Sequence, residues 1–110
     1  MAKHFELKKS SNSQYFWSLH ADNNEKILAS EMYTTKQAAL NGINSVKTNS
    51  PLDGRYDRRV AKNNQPYFVL KAANGEIIGT SEQYSSTEAM EDGIKAVKNA
   101  GPTAPTQDLA

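Results

Sequence analysis

Residues 23–47 read NNEKILASEMYTTKQAALNGINSVK, and residues 74–98 read NGEIIGTSEQYSSTEAMEDGIKAVK. The offset of 51 residues (74 minus 23) extends without a gap over 4–51 and 55–102, where 16 of 48 aligned pairs are identical. Such self-similarity indicates the duplication of one supersecondary unit. We therefore predict a single domain over 1–110, with repeats at about 4–51 and 55–102 and a tail at 103–110.

Composition excludes several classes of protein. The chain has 110 residues, of which 37% are apolar and 23% are charged, which is typical of one globular domain with a real core. A net charge of +1 gives little attraction to DNA or to an anionic membrane, and the absence of cysteine excludes disulfide and thiol chemistry. No apolar stretch is long enough for a signal peptide or a membrane span, so we expect a cytoplasmic protein.

Each repeat opens with three segments of strand character. The middle segment is the clearest, because aromatic and β-branched residues are frequent in it. Trp17 and Leu19 share one side, which predicts a buried face, and the opposite side is mixed. Asn-Gly at 74–75 predicts a type I′ hairpin turn. The predicted strands are 4–9, 15–21 and 26–31 in the first repeat, and 55–60, 66–72 and 77–82 in the second.

A helix follows the third strand in each repeat. We predict that it begins with a capping box, in which a hydroxyl accepts a hydrogen bond from the backbone three residues on. The boxes are Thr34-x-x-Gln37 and Ser85-x-x-Glu88. Gly42 and Gly93 lie inside the two helices, although a mid-helix glycine costs about 1 kcal/mol relative to alanine. Their recurrence predicts close packing at this point, against the sheet or between the helices.

The paired units resemble the YegP family of small uncharacterised bacterial proteins. The resemblance rests on Asn-Gly-Glu-Ile-Ile, on the duplicated Ser-Glu-x-Tyr and Gly-Ile-x-x-Val-Lys, and on a closing Pro-Thr-x-Asp-Leu. It implies tandem units of three strands and a helix, with the strands after the helices exchanged between units. It implies no catalytic residue.

The predicted fold class is α+β. One antiparallel sheet of six to eight strands carries two helices on one face, and the repeats are related by a pseudo-twofold axis. The tail is predicted to be either a short edge strand or a frayed end.

The duplicated Ser-Glu-x-Tyr string offers one candidate site. Its residues are Ser30, Glu31 and Tyr33, and Ser81, Glu82 and Tyr84. A carboxylate beside two hydroxyls suits acid–base or ligand-binding chemistry, so a small-ligand or hydrolase-like protein using Glu31 and Glu82 is one alternative. In the structural interpretation, the string fixes the corner between strand and helix. Duplication favours the structural interpretation, because an asymmetric active site does not need both copies.

The sheet face opposite the predicted core offers a second candidate site. Its residues are Phe16, His20, Arg55, Arg59, Tyr67 and Lys71. Aromatic rings among cations can stack on bases and contact phosphates, so weak binding of single-stranded nucleic acid is another alternative. A solvated sheet face or a dimer interface explains the same residues, and the net charge of +1 argues against nucleic acid.

The two histidines give no local metal signature. His4 and His20 have Arg55 and Lys71 as their equivalents, and no His-x-x-x-His or HExxH spacing occurs. We therefore expect surface histidines, with no metal site, no cofactor and no catalytic residue. The predicted function is a non-enzymatic binding or interaction module whose partner and oligomeric state the pattern leaves open. Function is expected where the repeats differ, as at Trp17 and His20.

Overall fold

The structure is a computed structural model that describes residues 2–110. Its strands are β1 (His4–Lys9), β2 (Tyr15–His20), β3 (Lys26–Ala29), β4 (Tyr56–Val60), β5 (Pro66–Lys71), β6 (Ile77–Thr80) and β7 (Thr106–Asp108). The helices are α1 (Lys36–Asn49) and α2 (Thr87–Ala100), and a 3-10 turn covers Asp53–Arg55. Within the described range, neither 14-residue helix is long and apolar enough to cross a membrane.

One seven-stranded sheet joins the two repeats in the order β4-β5-β6-β3-β2-β1-β7. The repeats meet where β3 and β6 pair antiparallel, with Ala29 opposite Thr80. These two residues are equivalent by the offset of 51, so their pairing marks the pseudo-twofold axis. Helix α1 packs on β2 and on β6 of the other repeat, and α2 packs on β5 and β3. The predicted α+β fold is confirmed.

Strand β7 is the exception to the antiparallel sheet that we predicted. It pairs parallel with β1, with Phe5 opposite Thr106, so the sheet is mixed. By the offset of 51, Thr106 corresponds to Arg55 (106 minus 51), just before β4. Strand β4 pairs with β5, and the corresponding place beside β2 is taken by β1. The tail therefore adds outside β1, at the edge of the sheet.

The core lies between the sheet and the helices. Alternate residues of each strand point to opposite faces, and Phe5, Leu7, Trp17 and Leu19 are fully buried on the helix side. Their neighbours in sequence therefore point to the other face, which we call the outer face. Burial of the large apolar side chains on one side is the main favourable term that holds the layers together.

All four hairpin loops use the same turn. Each contains one residue at positive φ: Ser13, Asn24, Asn64 and Gly75. The predicted type I′ turn is wrong, because it needs positive φ at both central residues and Asn74 does not have it. The Gly75 amide donates to Ala72 O at 3.0 Å, and the Ala72 amide donates to Glu76 O at 2.9 Å. These bonds describe a type I turn followed by one left-handed residue.

The helix caps lie one residue later than predicted. The N-cap residues are Thr35 and Ser86, whose hydroxyls accept from the amides of Ala38 and Ala89 at 3.0 and 3.1 Å. The third helical residue is then an alanine, so the reciprocal half of a capping box is missing. Each helix is preceded by two adjacent hydroxyl residues, and the sequence pattern did not distinguish between them.

Candidate functional site

Two clefts lie where the repeats meet. Each has one wall from the helix of one repeat and one wall from the β-hairpin of the other repeat. The cleft beside α1, called the α1 cleft, has a volume of about 330 Å³, and the α2 cleft has about 350 Å³. Most of their lining residues are equivalent by the offset of 51. Duplication has therefore built one concave site twice.

Carboxylates and a tyrosine give each cleft its polar character. The α1 cleft contains Glu31 and Tyr33 from the first repeat and Glu76 from the second. The α2 cleft contains Glu82, Tyr84 and Asp92 from the second repeat and Glu25 from the first. No lysine or arginine of the described range lines either cleft. Both clefts are thus acidic, and neither is complete within one repeat.

These carboxylates differ from most others in the chain because they have no cationic partner. Five of the twelve Asp and Glu residues form ion pairs, namely Glu6, Asp53, Asp57, Glu91 and Asp108. Of the seven that form none within residues 2–110, five line the clefts: Glu25, Glu31, Glu76, Glu82 and Asp92. The negative charge of the clefts is therefore not neutralised by neighbouring side chains.

The serines of the duplicated string hold the corner between strand and helix. The Ser30 hydroxyl accepts from the Trp17 amide at 2.9 Å and donates to Glu31 O at 2.7 Å. Ser81 makes the same two bonds, with the Phe68 amide at 3.0 Å and with Glu82 O at 2.7 Å. Both serines thus satisfy backbone groups and have a structural role.

The tyrosines lie over the mid-helix glycines. A Cβ atom on Gly42 would overlap the Tyr33 hydroxyl and would lie 2.9 Å from Trp17 Nε1, and a Cβ on Gly93 would overlap Tyr84. The Trp17 N–H lies near the Tyr33 hydroxyl but has no partner with hydrogen-bond geometry within residues 2–110. Helix and corner therefore approach closely only because both positions are glycine.

Burial perturbs both tyrosines. It raises the pKa of Tyr33, and it raises the pKa of Tyr84 to about 12 with smaller contributions from the charges of Glu82 and Glu25. The phenols therefore stay protonated at neutral pH and can serve as hydrogen-bond donors. Because Glu31 lies in one cleft and Glu82 in the other, the two carboxylates cannot act together on one substrate.

The outer face holds the cations of the second candidate site in internal ion pairs. Arg59 Nε lies 2.9 Å from Asp57 Oδ2, and Lys71 Nζ lies 3.3 Å from the same oxygen. In the first repeat, Lys8 Nζ lies 3.3 Å from Glu6 Oε1. This local neutralisation weakens the case for phosphate binding.

The other residues of the predicted nucleic-acid site lie far apart. Arg55 lies in the 3-10 turn before β4, and its Nε donates to Asn49 Oδ1 of α1 at 3.0 Å. Phe16 is on β2 and Tyr67 on β5, with β3 and β6 between them. At about 4.8 Å per strand, the two aromatic residues lie on strands roughly 14 Å apart. The six predicted residues therefore do not form one continuous patch.

The outer face of the first repeat contains a cluster that the sequence motifs missed. His4 lies opposite His20 across the β1–β2 hairpin, and Glu6 lies beside both. His4 Nε2 is 2.9 Å and His20 Nε2 is 3.6 Å from Glu6 Oε2. The expectation of surface histidines is wrong, since the two imidazole side chains are only 11% and 13% exposed.

His4 and Glu6 shift each other's pKa. The carbonyl oxygen of Ala2 and then the carboxylate of Glu6 raise the pKa of His4. The hydrogen bond with His4 lowers the pKa of Glu6. A signal did exist in the sequence, because a hairpin centred near residue 12 places His4 opposite His20. Local spacing motifs do not detect such cross-strand pairs.

Comparison with known proteins places the chain in a family. The description "Domain of unknown function (DUF1508)" matches twice, over residues 10–57 and 61–108, again 51 residues apart. A UPF0339 protein of Shewanella oneidensis is 56% identical over 109 residues, which covers 99% of both chains. The UPF0339 protein YegP of Escherichia coli K12 is 47% identical over 108 residues, which covers 98% of both chains.

Solved structures agree with this relationship. The solution NMR structure of the Shewanella oneidensis UPF0339 protein has a TM-score of 0.92, covering 99% of this chain and 92% of that one. The solution NMR structure of YegP from E. coli has a TM-score of 0.93, covering 99% and 94%. These names describe proteins of unknown function and state no activity. The chain belongs to the UPF0339 family and carries the DUF1508 domain as a tandem pair.

Proposed function

We propose that the protein is a non-enzymatic binding module whose two clefts each take a primary ammonium group on an aliphatic chain. The observation that carries this proposal is the concentration of unpaired carboxylates. Five of the seven acidic residues without an ion-pair partner in the described range line the two clefts. A cationic ligand would give them the partner that the chain does not supply.

The apolar part of each lining supports the same ligand class. Ile77 and Ile78 form part of the α1 cleft, and Ala21 and Ile27 form part of the α2 cleft. Aliphatic carbons can pack on these side chains while the ammonium lies near the carboxylates. The rings of Tyr33 and Tyr84 add faces that attract cations. Mixed linings of this kind, with a few converging polar groups, are typical of small-ligand sites.

Binding fits the clefts better than catalysis. Ser30 and Ser81 are occupied with backbone groups, and the two duplicated carboxylates lie in different clefts. Neither cleft contains a histidine in its lining within the described range. Carboxylates can themselves serve as acid and base, so the case for binding rests on the structural role of the two serines and on the lack of a cationic partner for the cleft carboxylates. The two equivalent sites would each bind one ammonium group, so the chain would take two copies of the ligand.

The test is an amide NMR titration of the full chain with 1,4-diaminobutane at low salt. We expect chemical-shift changes at Tyr33 and Tyr84 and at their neighbours in both clefts, with a Kd of about 1 mM, which corresponds to a binding free energy of about −4 kcal/mol. The matched uncharged ligand, 1,4-butanediol, should leave these signals unchanged. No change in either cleft, or equal changes with both ligands, would refute the proposal.

The duplication supplies an internal control. The double variant Glu31→Gln/Glu76→Gln removes the charge of the α1 cleft and leaves the α2 cleft intact. We expect binding to be lost at Tyr33 and retained at Tyr84. Two further probes distinguish the sources of the ammonium group: spermidine represents a free polyamine, and N-acetyl-lysine amide represents a protein side chain. The tighter ligand identifies the source.

A further inference from the structure

Three ligand-type atoms converge on the outer face of the first repeat. They are Nε2 of His4, Nε2 of His20 and Oε2 of Glu6, and one ligand atom of each residue lies within 4.8 Å of those of the other two. All three side chains are largely withdrawn from solvent, with exposed fractions between 11% and 17%. Lys8 contacts the other carboxylate oxygen, Oε1, at 3.3 Å and leaves Oε2 facing the imidazoles.

The backbone orients both imidazole rings in the same way. His4 Nδ1 lies 2.8 Å from the carbonyl oxygen of Ala2, and His20 Nδ1 lies 3.3 Å from that of Asn24. A carbonyl oxygen only accepts, so each Nδ1 carries the hydrogen. The lone pair of a neutral ring is then on Nε2. A histidine that donates its second ring nitrogen to a backbone carbonyl is the usual arrangement around a bound metal.

This orientation leaves like groups facing one another. With Nδ1 protonated, the lone pair of His4 Nε2 faces the anionic Glu6 Oε2 at 2.9 Å, and His20 Nε2 lies 3.6 Å from the same oxygen. The Ser18 hydroxyl lies 2.9 Å from His20 Nε2. Because this nitrogen carries no hydrogen, the hydroxyl is the donor in that contact. A cation between the three atoms resolves the conflict, and a proton on His4 resolves it in the metal-free protein.

We propose that His4, Glu6 and His20 form a binding site for a divalent first-row transition metal ion, of which Zn²⁺ is the simplest member. Two imidazoles and one carboxylate are the protein ligands of a familiar class of four-coordinate zinc sites, in which the fourth position holds water. The Ser18 hydroxyl, 2.9 Å from His20 Nε2, would give up this contact when the nitrogen binds the ion. The site is independent of the two clefts and does not rest on the function proposed for them.

The dimensions suit such an ion. Zinc–nitrogen and zinc–oxygen bonds of about 2.0–2.1 Å put tetrahedral ligand atoms roughly 3.3 Å apart. The two nitrogen–oxygen distances, 2.9 and 3.6 Å, bracket this value. The imidazole rings are stacked with centroids 4.9 Å apart, so metal binding requires the two rings to turn their Nε2 atoms toward each other.

Ligand chemistry selects among cations. Imidazole nitrogen suits zinc, copper, iron and nickel, whereas Mg²⁺ and Ca²⁺ prefer sites made entirely of oxygen. The second repeat provides the negative example, since its residues at the equivalent positions are Arg55, Asp57 and Lys71. Lys71 pairs with Asp57, so a lysine side chain provides the positive charge there and no metal ion is needed. The first repeat thus has imidazoles where the second repeat has fixed cations.

The test is isothermal titration calorimetry of the full chain, without an affinity tag, with Zn²⁺ at pH 7.5. The chain has two histidines and no cysteine, so no other imidazole or thiolate competes. We expect one zinc ion per chain. Glu6→Gln should weaken zinc binding by at least about tenfold, because even the loss of a residue that only hydrogen-bonds to a metal ligand has an effect of this size. Asp57→Asn, the matched change in the second repeat, should leave the affinity unchanged.

The variant His4→Arg/His20→Lys gives the first repeat the residues that the second repeat already accommodates. We expect it to keep the wild-type circular dichroism spectrum and to lose zinc binding. The proposal would be overturned if the wild-type chain bound no zinc at a free zinc concentration of about 100 μM, which is 100 times a micromolar Kd. It would also be overturned by wild-type affinity in the double variant, or by equal weakening in Glu6→Gln and Asp57→Asn.

Discussion

In the first repeat, Glu6 lies between two imidazoles, whereas Asp57 at the same position of the second repeat lies between Arg59 and Lys71. On the helix side the two repeats are much more alike. Trp17 and Phe68 are both fully buried, and each packs beneath its helix. The difference teaches that the shared core maintains the duplication, while the outer face, which the core does not constrain, has acquired different chemistry in each half.

The two clefts, like the two halves of the core, are similar in both repeats. Tyr33 and Tyr84 lie over equivalent glycines, and both clefts carry carboxylates from both repeats. A site that needs residues from both halves constrains both halves together. The histidine cluster needs residues of the first repeat only, so it is free to differ from its counterpart.

The largest expected effect tests whether the two halves share one core. Trp17→Ala and Phe68→Ala each remove a fully buried aromatic side chain and should lower the free energy of unfolding by about 3–5 kcal/mol. Because both helices pack across the repeat boundary, each variant should still unfold in a single transition. Urea denaturation followed by circular dichroism measures this. Two separate transitions would contradict the view that the repeats form one unit.

A smaller effect should separate the two corner serines. Ser81→Ala leaves the Phe68 amide without its partner in a buried position, which should cost about 1–3 kcal/mol. Ser30→Ala does the same to the Trp17 amide at a more exposed serine, so its cost should be lower. Thermal unfolding of both variants provides the comparison. Equal costs would show that the corners are energetically equivalent despite their different burial.

The mid-helix glycines should give the next effect. Gly42→Ala and Gly93→Ala gain helix propensity but force a Cβ atom against tyrosine, so a net loss of about 1 kcal/mol is expected. Gly42→Ala should be the worse of the two, because Trp17 also approaches that position. Adding Tyr33→Phe should relieve part of the cost in a double-mutant cycle. An increase in stability on either glycine substitution would refute the packing argument.

The smallest effect concerns pH. Burial raises the folded-state pKa of Tyr84 to about 12, above the unfolded value of about 10. The stability linked to this group is therefore complete below pH 10 and is lost as the pH rises toward 12. Burial also raises the pKa of Tyr33 and Tyr56, so ultraviolet absorbance of phenolate should show a late-titrating component from several tyrosines, and Tyr84→Phe should reduce its amplitude by one tyrosine without removing it. An unchanged amplitude of the late component in Tyr84→Phe would contradict the prediction.

Much of the fold follows from the sequence because it depends on local order. Alternation in the strands and the spacing of Ile43 and Val46 report which side of each element is buried, and the duplication supplies the symmetry. The errors are also local in origin. Two adjacent hydroxyls, Thr34 and Thr35, compete for one cap, and the Asn-Gly pair fits two kinds of turn.

The candidate sites were harder to predict because they depend on contacts between distant segments. Glu31 meets Glu76 only when the hairpin of one repeat packs beside the helix of the other. His4 meets His20 only through the register of β1 with β2. Hydrophobic periodicity states which face a residue occupies but not which residue lies across from it. The string Ser-Glu-x-Tyr was found from the sequence, whereas its partner residues were not.

The most direct test of the difference between the repeats is one NMR experiment on the unmodified chain. Amide and imidazole spectra are recorded before and after one equivalent of Zn²⁺ is added, and the two repeats are compared within the same sample. We predict that the signals of His4, Glu6 and His20 shift and that those of Arg55, Asp57 and Lys71 do not. Unchanged histidine signals, or equal shifts in the two repeats, would contradict the account.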